Sequence, residues 1–339
     1  MEDLIAILQY GTDLRDKQVN HAVKILLSDE ELDGEKAEFL KALHKKRESA
    51  AELAAFAKAL LLHAVNPEID PAKLAGPLLD VCGTGGDKLE IFNVSTTNMF
   101  VLAAGGACVV KHGNRAITSK CGGADVLEQL GIKIELTPEQ LRACLEQHSC
   151  GFIFAPAYHP AFKIIAPVRK ALALQGHTTI FNLLGPLLNP ARPAHQLVGV
   201  FSEDHVEKYA AALSSLGRKH AWVVNGNGMD EISLAGPTTV CEVKDGVVKN
   251  FTIDPATLGL QTCTVQDLHG GDKVQNAQIL TAILDGSERG PKRDIVVLNA
   301  AAGFVVSGLA ADIPAGIAKA VEVIDSGKAR AKLNALQSF

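Results

Sequence analysis

Apolar residues recur at helical spacing through residues 1–66 and change to short runs afterwards. Val19, Ala22, Val23 and Leu26 mark one helical stripe, and Phe56, Ala57, Leu60, Leu61 and Ala64 mark another. Ser49 followed by Glu52 is a capping box ahead of the second stripe. Gly11 and Gly34 read as breaks, and Asn66-Pro67 closes a small helical module. From about residue 78 the pattern predicts strands at 78–82, 107–111, 132–136 and 152–155, with helices at 95–104, 124–130 and from Thr137 onward. Residues 160–190 return to helix, and then strand 197–201, helix 205–216 and strand 221–224 resume the alternation. Thr238–Val243 and Val247–Thr252, joined at Asp245-Gly246, predict an antiparallel hairpin. Helices at 294–306 and 315–324, the latter stopped by Gly327, end the chain. Strands alternating with helices imply parallel pairing through right-handed crossovers.

The first predicted strand runs into Gly83-Thr84-Gly85-Gly86-Asp87, and Asn93-Val94-Ser95-Thr96 opens the next helix. Glycines admit positive φ and let backbone N–H groups approach an anion, and a helix start adds free N–H donors. This is a phosphate-holding arrangement, although it is neither the dinucleotide fingerprint nor the Lys-Ser/Thr phosphate loop. A second loop, Lys111-His112-Gly113-Asn114-Arg115, follows the next strand. Successive strand ends in an open α/β sheet face one crevice, so the two loops are expected together.

Composition narrows the class. The 339 residues carry 33 Lys and Arg against 38 Asp and Glu, a net charge of −5 that argues against a nucleic-acid partner. No apolar run is long enough to span a bilayer, and no basic-then-apolar leader opens the chain, so a cytoplasmic setting without membrane attachment is expected. The seven cysteines form no Cys-x-x-Cys pair and are an odd number, which points to free thiols. Cys82 and Cys121, beside the loops, read as packing residues.

The blocks G-T-G-G-D (83–87), N-V-S-T (93–96), K-H-G-N-R (111–115), A-D-V-L-E (124–128), H-P-A (159–161), P-V-R (167–169), I-F-N-L-L-G-P-L-L-N-P (180–190), M-D-E-I-S (229–233) and I-D-S-G-K-A (324–329) follow in an order and spacing that resemble the anthranilate phosphoribosyltransferase family of tryptophan biosynthesis. The resemblance implies an α/β fold: a small N-terminal helical domain plus a large domain with a mostly parallel sheet flanked by helices. It implies that residues 1–70 and about 160–190 make the helical domain, and 71–159 with 191–339 the α/β domain. It implies Mg²⁺-dependent transfer of the 5-phosphoribosyl group from phosphoribosyl pyrophosphate to the amine of anthranilate, in a homodimer joined through the helical domains. Gly83, Gly85, Gly86, Asp87, Asn93, Ser95, Thr96, Lys111 and Ser119 would hold the donor. Gly83, His112, Asn114 and Arg169 would meet the acceptor, and Ser95, Asp230 and Glu231 the metal. Lys111 and His112 are the catalytic candidates, and His159 reads as a pocket or capping residue.

The chain departs from the family pattern at Lys88, usually Gly, at Ile91, commonly Thr, and at Gly123, usually Ser. The stretch containing Leu174-Gln175-Gly176-His177 is a few residues longer than the pattern. A paralogue with another aromatic acceptor, a pyrimidine nucleoside phosphorylase and a non-enzymatic ligand binder are the alternatives to the transferase reading.

Overall fold

A computed structural model describes residues 1–87, 89–116 and 120–339. Its centre is a seven-stranded sheet of β1 (Leu78–Gly83), β2 (Cys108–Gly113), β3 (Cys150–Phe154), β4 (His195–Gly199), β5 (His220–Asn225), β6 (Thr238–Lys244) and β7 (Val247–Ile253). The spatial order is β3-β2-β1-β4-β5-β6-β7. Strands β1 to β5 are parallel, and β6 and β7 add an antiparallel hairpin at one edge. Asp245 (φ 49°) and Gly246 (φ 81°) both take the left-handed conformation that a tight hairpin turn requires. Chain order runs outward from β1 in one direction and from β4 in the other. The boundary between β1 and β4 is therefore a topological switch point, where a crevice opens beyond the strands' carboxyl ends.

Alternation along the strands assigns the two faces to two cores. Trp222 and Val224 point into one cluster with helices Val94–Ala104 and Pro291–Val306. Ala221 and Val223 point into the other, which contains helix Val206–Ser215 and the N-terminal helices. Those helices are Glu2–Gln9, Asp16–Leu26, Asp33–Lys46 and Ala50–Leu61. The Ser49–Glu52 capping box forms as predicted, and Val19, Ala22, Val23 and Leu26 are all buried. Helix Phe162–Leu174 places Ile165, Val168 and Leu172 in the same cluster.

Several expectations are corrected. Residues 132–136 form no strand: Ile132, Ile134 and Leu136 are buried between exposed Lys133 and Glu135, but the segment pairs with no ladder. Period-two burial there reports an extended chain lying on the core, and the Leu136 carbonyl accepts from the Tyr158 hydroxyl at 3.1 Å. Gly34 is the second residue of helix Asp33–Lys46, not a break, and Ala64 lies beyond the end of helix Ala50–Leu61. Helices Lys273–Leu284 and Lys328–Gln337 also form, outside the predicted set. The longer stretch after Arg169 carries its helix to Leu174, turns at Gly176 (φ 76°), and ties Thr178 Oγ1 to His44 Nε2 at 2.7 Å. No helix among the described residues is long and apolar enough to cross a membrane.

Candidate active site

The floor of the crevice is set by two missing side chains. Gly83 ends β1 and Gly199 ends β4, paired side by side at the switch point. A Cβ on Gly83 would strike the Asp230 carboxylate, and one on Gly199 would strike the Asp230 backbone. Glycine at both ends thus lets the 229–231 segment sit directly on the sheet edge. Gly85 (φ 65°) and Gly86 (φ 86°) then turn the loop in conformations that L side chains rarely adopt. The Gly85 N–H donates to Asp230 Oδ2 at 2.7 Å, and the Ser95 N–H, at the start of helix Val94–Ala104, donates to Glu231 Oε1 at 3.1 Å. Amides from the glycine loop and from a helix N-terminus therefore converge on one acidic pair.

Burial makes that pair reluctant to ionise. Burial first, and the nearby Asp87 carboxylate second, raise Asp230 to about 7. Burial and then Asp230 raise Glu231 to about 8, opposed by Lys111. Asp87 Oδ1 accepts from Leu89 N at 3.2 Å, while its buried Oδ2 has no partner among the described residues. A cation among these carboxylates would relieve both the repulsion and the orphaned oxygen. No three His, Cys, Asp or Glu side chains among the described residues form a ready-made metal cage. Mg²⁺ binds through one or two carboxylates, with water and substrate phosphates completing its shell, and Asp230 and Glu231 offer such a pair.

Lys111 on β2 is buried, and its Nζ donates to the Val81 carbonyl at 2.6 Å and to Ser95 Oγ at 3.1 Å. It is held under the mouth of the glycine loop. Asn93 donates through Nδ2 to the Cys121 carbonyl at 3.1 Å and accepts from Asn276 Nδ2 at 3.0 Å. Thr96 is buried in the first turn of the helix, and a Cβ on Gly123 would come to 3.0 Å of its Oγ1. Ile91 forms an isolated antiparallel bridge with His269. Ser119 and Lys88 lie outside the described residues.

His112 sits on β2 beside Lys111. Its Nδ1 is 3.2 Å from the Gly185 carbonyl, which can only accept, so Nδ1 carries the proton. Burial first, then His159, pull its pKa down to about 3, so the ring is neutral and its Nε2, without a partner among the described residues, is an acceptor. His159 mirrors it: Nε2 donates to the Leu188 carbonyl at 3.0 Å, burial lowers the pKa to about 4, and Nδ1 has no partner among the described residues. The two rings meet edge-on at 5.3 Å. From His159 a row continues through Phe162 (5.0 Å) and Phe181 (5.7 Å) to the Arg169 guanidinium, 4.8 Å from the Phe181 centroid. Arg169 is thereby joined to His112 by one wall of aromatic rings. Burial lowers its pKa, and it makes no ion pair among the described residues. Asn114 is exposed two residues past His112, its Oδ1 accepting from Arg115 N at 2.8 Å.

Sequence reasoning missed the polar layer beneath the site. Asp80, fully buried within β1, accepts from the His112 N–H at 3.3 Å and from Gln196 Nε2 at 3.1 Å. Gln196 in turn accepts from Arg218 Nε at 2.9 Å. The signal was present: an aspartate inside the apolar run Leu78-Leu79-Asp80-Val81-Cys82 is costly to bury unless it serves a network. Asn276 was also missed, although Gly271-Asp272 with Gln275 is a capping box just before it.

Comparison with known proteins agrees with this architecture. Residues 2–64 match the helical bundle domain of a glycosyl transferase family, and residues 75–330 match its a/b domain. An anthranilate phosphoribosyltransferase of Methanosarcina acetivorans is 45% identical over 100% of this chain and 90% of its own length. One of Anaeromyxobacter dehalogenans is 43% identical over 99% of this chain and 97% of its own. Among solved structures, the anthranilate phosphoribosyltransferase of Thermus thermophilus superposes with a TM-score of 0.91 at 38% identity, covering 99% of this chain and 98% of that one. The Saccharomyces cerevisiae enzyme, solved in complex with phosphoribosyl pyrophosphate and Mg, superposes at 0.86 with 27% identity, covering 100% and 99%. With its glycine cradle, acidic pair and two-domain build, the chain belongs to the anthranilate phosphoribosyltransferase family.

Proposed function

We propose that this chain transfers the 5-phosphoribosyl group of phosphoribosyl pyrophosphate to the amine of anthranilate, releasing pyrophosphate. One observation carries the reading: loop and helix amides, Lys111 and an acidic pair meet at the switch point beyond Gly83 and Gly199. The yeast relative was solved with the same donor and metal, and with 4-fluoroanthranilate.

The chemistry displaces pyrophosphate from an anomeric carbon, and negative charge grows on the leaving oxygen. Donors fixed in advance at that oxygen cost no reorganisation. Gly83, Gly85, Gly86, Asn93, Ser95 and Thr96 would cradle the diphosphate, with the Gly85 and Ser95 amides turning to it from Asp230 and Glu231, and Lys111 supplies a charge already held in place by the Val81 carbonyl. Mg²⁺, bound through Ser95, Asp230 and Glu231, would neutralise the diphosphate as it departs. Asp87 faces the same acidic pair and raises its need for a cation.

Acceptor binding follows from the aromatic wall. Arg169 pairs with the carboxylate, for which a guanidinium offers two parallel N–H bonds. The ring of the acceptor lies along the wall built by Phe162 and Phe181. His112 Nε2, neutral and without a partner, receives an amine N–H and aims the nitrogen lone pair at the sugar carbon. An aniline-type amine is already neutral near pH 7, so its deprotonation before attack is not required. Asn114 contributes at the mouth.

Two copies pair through their helical domains in this reading, which exposed Tyr10, Leu32 and Leu174 support. Glu231→Gln tests the metal role. Mg²⁺-dependent turnover is expected to fall on the order of tenfold or more, through lost charge at the cation. An unchanged Mg²⁺ titration would rule the assignment out.

A further inference from the structure

A cleft of about 840 Å³ opens where β4 and β5 begin, at the end of the sheet remote from the glycine loop. The hairpin β6–β7 and the turn from helix Pro291–Val306 into helix Ile313–Asp325 complete its walls. His195 is the first residue of β4 and His220 the first of β5, and the two are register partners in the parallel pair. Register partners share a face of the sheet, and their strands lie about 4.8 Å apart. Both imidazoles line the cleft.

Each ring is held by one nitrogen and free at the other. His195 Nδ1 is 2.9 Å from the Val306 carbonyl, which can only accept, so Nδ1 carries a proton. His220 Nε2 donates to Glu242 Oε1 at 2.8 Å. His195 Nε2 and His220 Nδ1 make no hydrogen bond among the described residues, and neither atom is sealed from the cleft. Burial holds His195 below its ordinary pKa, so its free nitrogen keeps a lone pair near neutral pH. Donating one ring N–H to a carbonyl or carboxylate, and offering the other nitrogen, is how proteins orient histidine toward a metal. Glu242 is itself fixed, its Oε1 also accepting from Trp222 Nε1 at 2.8 Å. Glu242, Asp245 and Asp312 balance Lys219, Lys244 and Lys249 around the cleft, so a divalent cation meets no excess of positive charge. A purely structural histidine pair needs only the two donated bonds, and would leave two free nitrogens on one face without a task.

We infer that His195 and His220 form a site for one divalent transition cation of the Zn²⁺ and Ni²⁺ class. The cation is bound through His195 Nε2 and His220 Nδ1, with water in its remaining positions. Imidazole nitrogen suits these cations, whereas Mg²⁺ prefers oxygen. Two protein ligands fall short of the closed set of a structural zinc centre, so the cation is exchangeable. It links β4 to β5 far from Asp230 and Glu231, and its binding is independent of the reaction proposed for the crevice.

The chain's single tryptophan reports on the site. Trp222 lies two residues along β5 from His220, on the same face, and shares Glu242 with it. Ni²⁺ quenches indole fluorescence only at close range. Titrating the intact chain with Ni²⁺ in an excess of Mg²⁺ should therefore quench Trp222 saturably, and EDTA should restore the emission. His195→Gln should raise the midpoint of quenching by about tenfold or more, since a ligand is worth at least as much as the groups that orient it. Glutamine can still donate to the Val306 carbonyl from this half-buried position, so the fold is kept. His220→Gln repeats the test from the neighbouring strand and should shift the midpoint in the same direction. No saturable quenching in the wild type, or an unchanged midpoint in either variant, would overturn the site.

Discussion

At the scale of single residues, the site depends as much on absent atoms as on present ones. Gly83 and Gly199 lack the Cβ atoms that would push Asp230 off the sheet edge. Gly199→Ala should therefore destabilise the protein by about 1–3 kcal/mol, the usual cost of overpacking. It should also weaken Mg²⁺ activation, because the displaced backbone carries the acidic pair with it. Thermal melts and Mg²⁺ titrations check both, and a melt unchanged from wild type would show that the 229–231 segment is not seated as described. Arg169 makes the complementary case. Held against Phe181 and free of carboxylate partners among the described residues, it is poised for a carboxylate ligand. Arg169→Ala should raise the KM for anthranilate by on the order of tenfold and leave that for phosphoribosyl pyrophosphate nearly unchanged, since only the acceptor carries the partner it loses. Equal rises in both constants would remove Arg169 from the acceptor pocket.

At the scale of elements, helix Lys273–Leu284 matters to the site although no ligand need touch it. Asn276 accepts from Gly271 N at 2.8 Å and donates to Asn93 at 3.0 Å, so it braces the residue that opens helix Val94–Ala104. Asn276→Ala should raise the KM for phosphoribosyl pyrophosphate several-fold, as a loosened positioning contact does, with a loss of stability of about 1–3 kcal/mol from the two hydrogen bonds removed. Steady-state kinetics with the donor varied will show it, and an unchanged donor KM would make Asn276 a packing residue. The elements also explain what the sequence disclosed. Glycine loops, capping boxes and the Asp245-Gly246 hairpin were legible because each is a local demand on backbone conformation. Residues 132–136 misled because alternation records which side is buried, and only a neighbouring strand supplies a ladder. The Asp80–Gln196–Arg218 layer was hidden because β1, β4 and the entry to β5, distant in sequence, must align before its bonds exist. The wall from His112 to Arg169 was half visible: its blocks were recognisable, but their stacking in one row depends on how helix Phe162–Leu174 lies on the sheet.

At the scale of the whole molecule, two cores clamp one sheet, and the sheet presents opposite chemistry at its two edges. Acidic groups lie beyond the carboxyl ends, and Arg192 and Arg218 lie just before the amino ends of β4 and β5. The acidic pair couples folding to pH. Asp230 at about 7 and Glu231 at about 8 hold protons in the folded state that the unfolded chain releases from about pH 4 upward. Their contribution is therefore complete at low pH and is lost as pH climbs through 7 to 8. Without metal, the melting temperature should be lower at about pH 9 than at about pH 6, and Glu231→Gln should shrink that difference. Mg²⁺ with pyrophosphate, which favours the ionised pair, should stabilise more at the higher pH. A stabilisation independent of pH would detach the metal from these carboxylates. His112, neutral across this range, should contribute no inflection near 6.5 to the pH profile of turnover. The most direct measurement of the central claim is the fluorescence of anthranilate mixed with the protein and phosphoribosyl pyrophosphate. The account predicts consumption that requires Mg²⁺ and falls sharply in Glu231→Gln. Undiminished anthranilate fluorescence in the presence of folded protein, donor and metal would contradict it.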